Sequence, residues 1–172
     1  MMKRSRLALI TAAPLLLLAA CSEAPKVDNR AGEAKRLQAG EFEVTAKVAS
    51  LVSTDKSTPS TKLRVGATAT AKGCVGADGI PEPALFTEPG DQCKIDNSYV
   101  SGAILNLAIK CTRALPPGYV TSAVDGSFTA DSFTATVTTD TSFYGNGDYK
   151  LVRNVTARRV GVCPPAPTVK KS

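Results

Sequence analysis

The side chains available for chemistry in this 172-residue chain are 15 Asp and Glu, 21 Lys and Arg, four Tyr, five Cys and the hydroxyls, because it contains no His and no Trp. Histidine triads, His-ligated zinc and imidazole general bases are thereby excluded. Any catalysis would run on Glu, Asp, Lys or Tyr, and a Ser nucleophile would need Lys or a carboxylate as its base. Neither a G-x-S-x-G elbow nor a phosphate-cradling P-loop occurs. Glu41 and Glu43 fall on one face of a predicted strand, about 7 Å apart by strand rise, a separation at which paired carboxylates can work. That face reads as solvated. Arg158 and Arg159 are adjacent in a strand and point oppositely, so they form no clamp. Asn146-Gly147-Asp148 resembles a fragment of a calcium loop but lacks the ligand series around it, and reads as a turn. No catalytic set emerges, so the expectation is a non-catalytic module with no catalytic residues, no metal and no other cofactor.

The cysteines are more informative. Lys3, Arg4 and Arg6 precede an apolar run from Leu7 to Ala20, the layout of a secretory signal peptide over residues 1–20. That run is shorter than the ~20 residues of a membrane-spanning helix. Leu18-Ala19-Ala20-Cys21 is similar to the bacterial lipobox, in which the Cys is acylated with palmitate-type chains and becomes the first mature residue. By the same resemblance, Ser22 in place of Asp points to the outer membrane, with the domain facing the periplasm; a soluble periplasmic protein is the alternative. Taking Cys21 for lipid leaves an even set, Cys74, Cys93, Cys111 and Cys163. In an oxidising compartment such a set reads as two disulfides. A four-Cys zinc site is disfavoured because its C-x₂₋₄-C spacing is absent.

Residues 21–39 read as the lipidated Cys and a polar tether, whose reach as a flexible chain would be roughly 23 Å. From Gly40 the texture changes: Phe42, Val44, Ala46 and Val48 alternate with Glu41, Glu43, Thr45 and Lys47, the period of a strand with one wet face. A second strand is predicted over 62–72, where Leu63, Val65, Ala67, Ala69 and Ala71 alternate with polar residues. Breakers crowd Cys74 to Cys93, with one helical turn expected at Pro83 to Thr87. A three-residue loop Ser101-Gly102-Ala103 would set Tyr99 opposite Leu105, Ile95 opposite Ile109 and Cys93 opposite Cys111, with all odd-numbered residues on one face. This register favours a Cys93–Cys111 bridge and leaves Cys74 with Cys163 by elimination; the sequence leaves the other pairings open. Further strands are predicted at 123–129, 132–143 and 148–160, with Phe128 and Phe133 paired about one turn and Tyr144 and Tyr149 about the Asn146-Gly147 turn. Residues 164–172 read as a loose tail.

The expected fold is all-β: a single antiparallel meander sheet of six or seven strands over residues 40–163, curved or partly closed into a barrel, with two disulfides. Without the three signal-segment charges, 18 basic residues face 15 acidic ones. A scattered net charge of +3 does not mark a nucleic-acid binder. The ordered landmarks Gly40-Glu41-Phe42-Glu43-Val44, Cys74, Cys93, Val100-Ser101-Gly102, Cys111, Gly126-Ser127-Phe128-Thr129-Ala130-Asp131-Ser132-Phe133 and Arg158-Arg159-Val160-Gly161-Val162-Cys163 resemble the domain-of-unknown-function 3617 family. These are small exported bacterial proteins, often lipoproteins; the resemblance implies class and location and no activity. Phe42 stands where such proteins commonly carry Trp. The functional expectation is a membrane-anchored bacterial envelope lipoprotein that binds an envelope protein, a glycan or an amphiphile. The alternatives are a His-independent hydrolase or transferase, which requires a cleft where carboxylates converge, and a purely structural envelope protein with neither cleft nor cavity.

Overall fold

Period-two alternation carries seven antiparallel strands: β1 (Gly40–Ser53), β2 (Thr68–Val75), β3 (Gln92–Ser101), β4 (Ile104–Ala114), β5 (Pro117–Phe128), β6 (Ser132–Phe143) and β7 (Tyr149–Gly161). The structure, a computed structural model, describes residues 36–165. The expected signal peptide, Cys21, nearly all of the tether and most of the tail lie outside the described residues. Among the described residues no helix is long and apolar enough to cross a membrane.

Strands β3 to β7 run as a meander, β7 then pairs with β1, and β1 pairs with β2, giving the order β2-β1-β7-β6-β5-β4-β3. The sheet curls into a half-barrel, leaving β2 and β3 as its two edges. Each edge is pinned by a disulfide: Cys74 of β2 is joined to Cys163 beyond β7, and Cys93 of β3 to Cys111 of β4. The concave face holds the core, with Phe42, Val44, Leu105, Ile109, Val124, Val137 and Leu151 almost wholly removed from water. Leu37 is buried with them, so packing begins three residues ahead of the expected boundary at Gly40.

The open side is filled by the connection between β2 and β3. Its Pro83–Leu85 turn of 3-10 helix touches both edge strands, and Leu85 and Phe86 insert into the core. Phe86 lies 5.5 Å from Phe133, ring centre to ring centre, and Phe133 lies 5.9 Å from Phe42. Pro83 sits at the start of the turn, where its missing N–H costs nothing.

Four expectations need correction. The β3–β4 hairpin turns on two residues, Gly102 and Ala103, both at positive φ, so Ser101 faces Ile104 and Val100 faces Leu105. A bulge at Asp96 restores the Cys93–Cys111 register further along. It also reverses the faces, so Val100 turns inward and Tyr99 lies exposed. Strand β2 begins at Thr68 rather than near Lys62, because Gly66 adopts a left-handed conformation and Val65 points to solvent. Strand β5 starts six residues earlier than expected, at Pro117, directly after the cis Leu115–Pro116 bond. Finally, Tyr149 is buried against Phe143 while Tyr144 is 74% exposed and packs on Tyr119, so only the Phe128–Phe133 pair forms as drawn.

If the inserted connection is part of the core, Phe86→Ala should cost about 3–5 kcal/mol in urea denaturation, as for a buried aromatic elsewhere in a core. A loss under about 1 kcal/mol would mean that the connection merely covers the sheet.

Candidate functional site

The inward positions of β4 are Leu105, Leu107, Ile109 and Cys111, all buried, and the next in the series is Arg113. On β7 the inward series is Tyr149, Leu151, Arg153, Val155 and Ala157. Strand alternation therefore aims two guanidinium groups and a phenol into the apolar concavity, where an unpaired charge is costly. The connection that fills the open side brings the partners, Glu88 and Asp91.

Arg113 grips Asp91 with two bonds, Nε to Oδ1 at 2.6 Å and Nη2 to Oδ2 at 2.8 Å. Its Nη2 also reaches Glu88 Oε1 at 3.2 Å, and its Nη1 donates to the Tyr149 hydroxyl at 2.9 Å. The Tyr149 hydroxyl in turn donates to Glu88 Oε1, and Thr61 Oγ1 donates to Glu88 Oε2 at 2.7 Å. The guanidinium stands 5.6 Å from the centre of the Phe143 ring. Side-chain exposure rises outward through the cluster, from 1% at Asp91 and 9% at Arg113 to 15% at Glu88. Such a buried group holds together only because nearly every donor finds an acceptor. The hydrogen bonds to Asp91 raise the Arg113 pKa, outweighing the opposing effect of burial. Burial pushes the Tyr149 phenol above its ordinary value, and its bond to Glu88 adds to the shift.

Arg153 is held differently. It is 7% exposed, its Nη2 donates to the Phe86 carbonyl, and its Nε has no partner. Burial lowers its pKa. It lines a cavity of about 530 Å³ whose walls include Val44, Ala46, Leu63, Ala69 and Ala71. Residues Glu88 to Asp91 separate this cavity from a second depression of about 760 Å³ lined by Thr61, Lys62, Arg113 and Leu115. Glu88 lines both.

Asp91, Cys93 and Cys111 place three potential metal-ligand atoms within 4.8 Å of one another. The two sulfurs are bonded to each other and both Asp91 oxygens are engaged by Arg113, so the trio could hold a metal ion only with the bridge reduced. Together with the Arg113, Glu88 and Tyr149 network it forms a cluster like an active site. That finding overturns the expectation of a non-catalytic chain, which rested on the lack of any catalytic set in the sequence.

The sequence candidates lie elsewhere. Glu43 pairs with Arg158 at 2.8 Å and Glu41 with Lys72 at 3.9 Å, so the two carboxylates serve ion pairs on the outer surface. The hydrogen bond from Arg158 holds the Glu43 carboxyl below its ordinary value. Arg159 donates to the Ala39 carbonyl. Asn146-Gly147-Asp148 is a turn, with the Gly147 and Asp148 amides donating to Asp55. The bonds from Ser57 and from these amides hold the Asp55 carboxyl well below the usual range. Arg113 and Arg153 were missed, although each stands on the apolar parity of its strand, and that misplaced charge was the available signal. Glu88 and Asp91 sit in a segment with no periodicity and gave none.

The folded state binds the Tyr149 phenolic proton more tightly than the unfolded chain does, so this contribution to stability is complete below the unfolded value of about 10 and falls as pH rises above it. Tyr149→Phe should therefore lower stability at neutral pH and flatten its decline toward about pH 11. Urea denaturation at both pH values tests this; an equally steep decline in the variant would assign the titration to another group.

No curated protein and no solved structure matches the chain. One family does, the one described as "Protein of unknown function (DUF3617)", over residues 37–163. That span begins at the buried Leu37 and ends at the disulfide-bonded Cys163, so it takes in every strand and the whole cluster. The chain belongs to the DUF3617 family.

Proposed function

We propose that the chain is a His-independent hydrolase or transferase of the bacterial cell envelope, with Glu88 as its acid–base carboxylate. One observation carries this reading: Glu88 borders both depressions while three donors from three separate parts of the chain, Thr61, Arg113 and Tyr149, fix its two oxygens. A carboxylate so oriented can take a proton from water or a substrate hydroxyl as it attacks, and return that proton to the leaving group. Tyr149 and Arg113 position Glu88, and the sealed Asp91 holds Arg113. The apolar cavity beside Glu88 favours an amphiphile over a glycan or an envelope protein as the molecule acted on.

Two disulfides and the lipobox-like Leu18-Ala19-Ala20-Cys21 support an oxidising envelope compartment and a lipid anchor at Cys21, with Ser22 favouring the outer membrane. The domain would then work at the membrane face, where amphiphiles are concentrated.

With p-nitrophenyl acyl esters as probes, Glu88→Gln should reduce release of p-nitrophenol by about 10²–10⁴-fold. Thr61→Val, which leaves every charge in place, should reduce it less while the melting temperature holds. Equal rates in wild type and Glu88→Gln would remove Glu88 from the chemistry. Cys21→Ser should strip the acyl mass from the intact chain and shift it out of the membrane fraction; unchanged mass and fractionation would refute the anchor.

A further inference from the structure

The bulge at Asp96 turns Asn97 and Tyr99 to the outer face of the sheet, where Tyr99 is 55% exposed on the edge strand β3. Re-aiming a side chain is a common use of such bulges. Across the sheet Tyr99 stands opposite Asn106 and Asn106 opposite Asp125, while Asn97 stands opposite Ala108. These outward side chains surround a shallow depression of about 290 Å³. Ala108 is too small to fill it, and Leu107 and Val124 turn their side chains into the core, so its floor is a methyl group and backbone.

One aromatic ring, two carboxamides and one carboxylate thus share a rim. Among the described residues none of these four side chains is engaged in a hydrogen bond or ion pair, whereas the neighbouring Asp96 is held by Lys110 at 2.9 Å. The amides both donate and accept and the carboxylate accepts. A matching ligand has an apolar face for the ring and hydroxyls around its edge. A pyranose with equatorial hydroxyls has both, because its axial C–H bonds form the faces and its O–H groups the perimeter. The volume is close to the lower end, roughly 300 Å³, of small-molecule sites. A protein partner would instead need a surface of about 1,000 Å² with an apolar centre, and Tyr99 is the one large exposed apolar side chain among the lining residues. Asp125 is the one ionisable acid among them, which favours a neutral sugar over a uronate or a sugar phosphate.

We propose that this depression binds a neutral glycan through one pyranose with equatorial hydroxyls, its C–H face stacked on Tyr99 and its hydroxyls bonded to Asn97, Asn106 and Asp125. The site lies on the face of the sheet opposite the Glu88 cluster, and neither reading depends on the other.

Titration followed by saturation-transfer NMR, on the full-length chain in nanodiscs with empty nanodiscs subtracted, tests it with three probes. Cellotetraose or chitotetraose should bind at least about tenfold more tightly than tetragalacturonate; a difference between the two neutral probes shows that the C2 substituent is read, and equal binding that it is not. Tyr99→Ala should weaken the better probe by about tenfold with the melting temperature unchanged, and Tyr99→Phe should restore it to within about twofold, since the ring makes the contact. Asp125→Ala should also cost about tenfold. Tyr119→Ala, at another exposed aromatic of the same face, should leave binding as it is. Failure of both neutral probes to bind at millimolar concentration, equal binding of tetragalacturonate, affinity indifferent to Tyr99→Ala or to Asp125→Ala, or an equal loss in Tyr119→Ala overturns the assignment.

Discussion

The sheet of this protein does not close on itself. Strands β2 and β3 remain unpaired with each other, and a barrel left open would expose its core along that gap. The β2–β3 connection fills it, with Leu85 and Phe86 buried against Phe133 and Phe42. Inserting a loop into a core brings polar backbone and charged side chains with it, and these must be satisfied inside. The Phe86 carbonyl is met by Arg153, and Glu88 and Asp91 are met by Arg113, Tyr149 and Thr61. The buried charges and the insertion are thus one arrangement, since neither is tolerable without the other.

The two arginines in that arrangement are satisfied to different degrees. Arg113 is neutralised on the spot, with both Asp91 oxygens and one of Glu88 on it. A buried ion pair of this kind seldom adds net stability over apolar packing, yet breaking it leaves a stranded charge. Arg153 is held by one bond to the Phe86 carbonyl and keeps its Nε buried without an acceptor.

The disulfides act on the same weak point. Cys74–Cys163 ties the β2 edge to the end of β7, and Cys93–Cys111 ties the β3 edge to β4, so each free edge is fixed by a covalent cross-link. Both edges must stay in place for the inserted connection to touch them. An open sheet with a charged insertion is thereby held to one geometry without closing the cavity beside β2.

Where local pattern decides structure, the sequence was sufficient. The inward faces of β1 and β4 and the Phe128–Phe133 pair follow from the two-residue period of a strand. Tertiary structure decided what a period cannot encode. The bulge at Asp96 reverses the faces of β3 to reconcile a two-residue turn with the Cys93–Cys111 pair. Val65 alternates like a strand residue yet leaves the sheet at Gly66. Arg113 and Arg153 stood in plain view on apolar faces, but their meaning depended on Glu88, Asp91 and Phe86, carried by a Pro- and Gly-rich segment with no pattern of its own. Alternation is a property of neighbouring residues, whereas the pairing of a buried charge depends on which distant segment fills the gap in the sheet, and only the folded chain determines that.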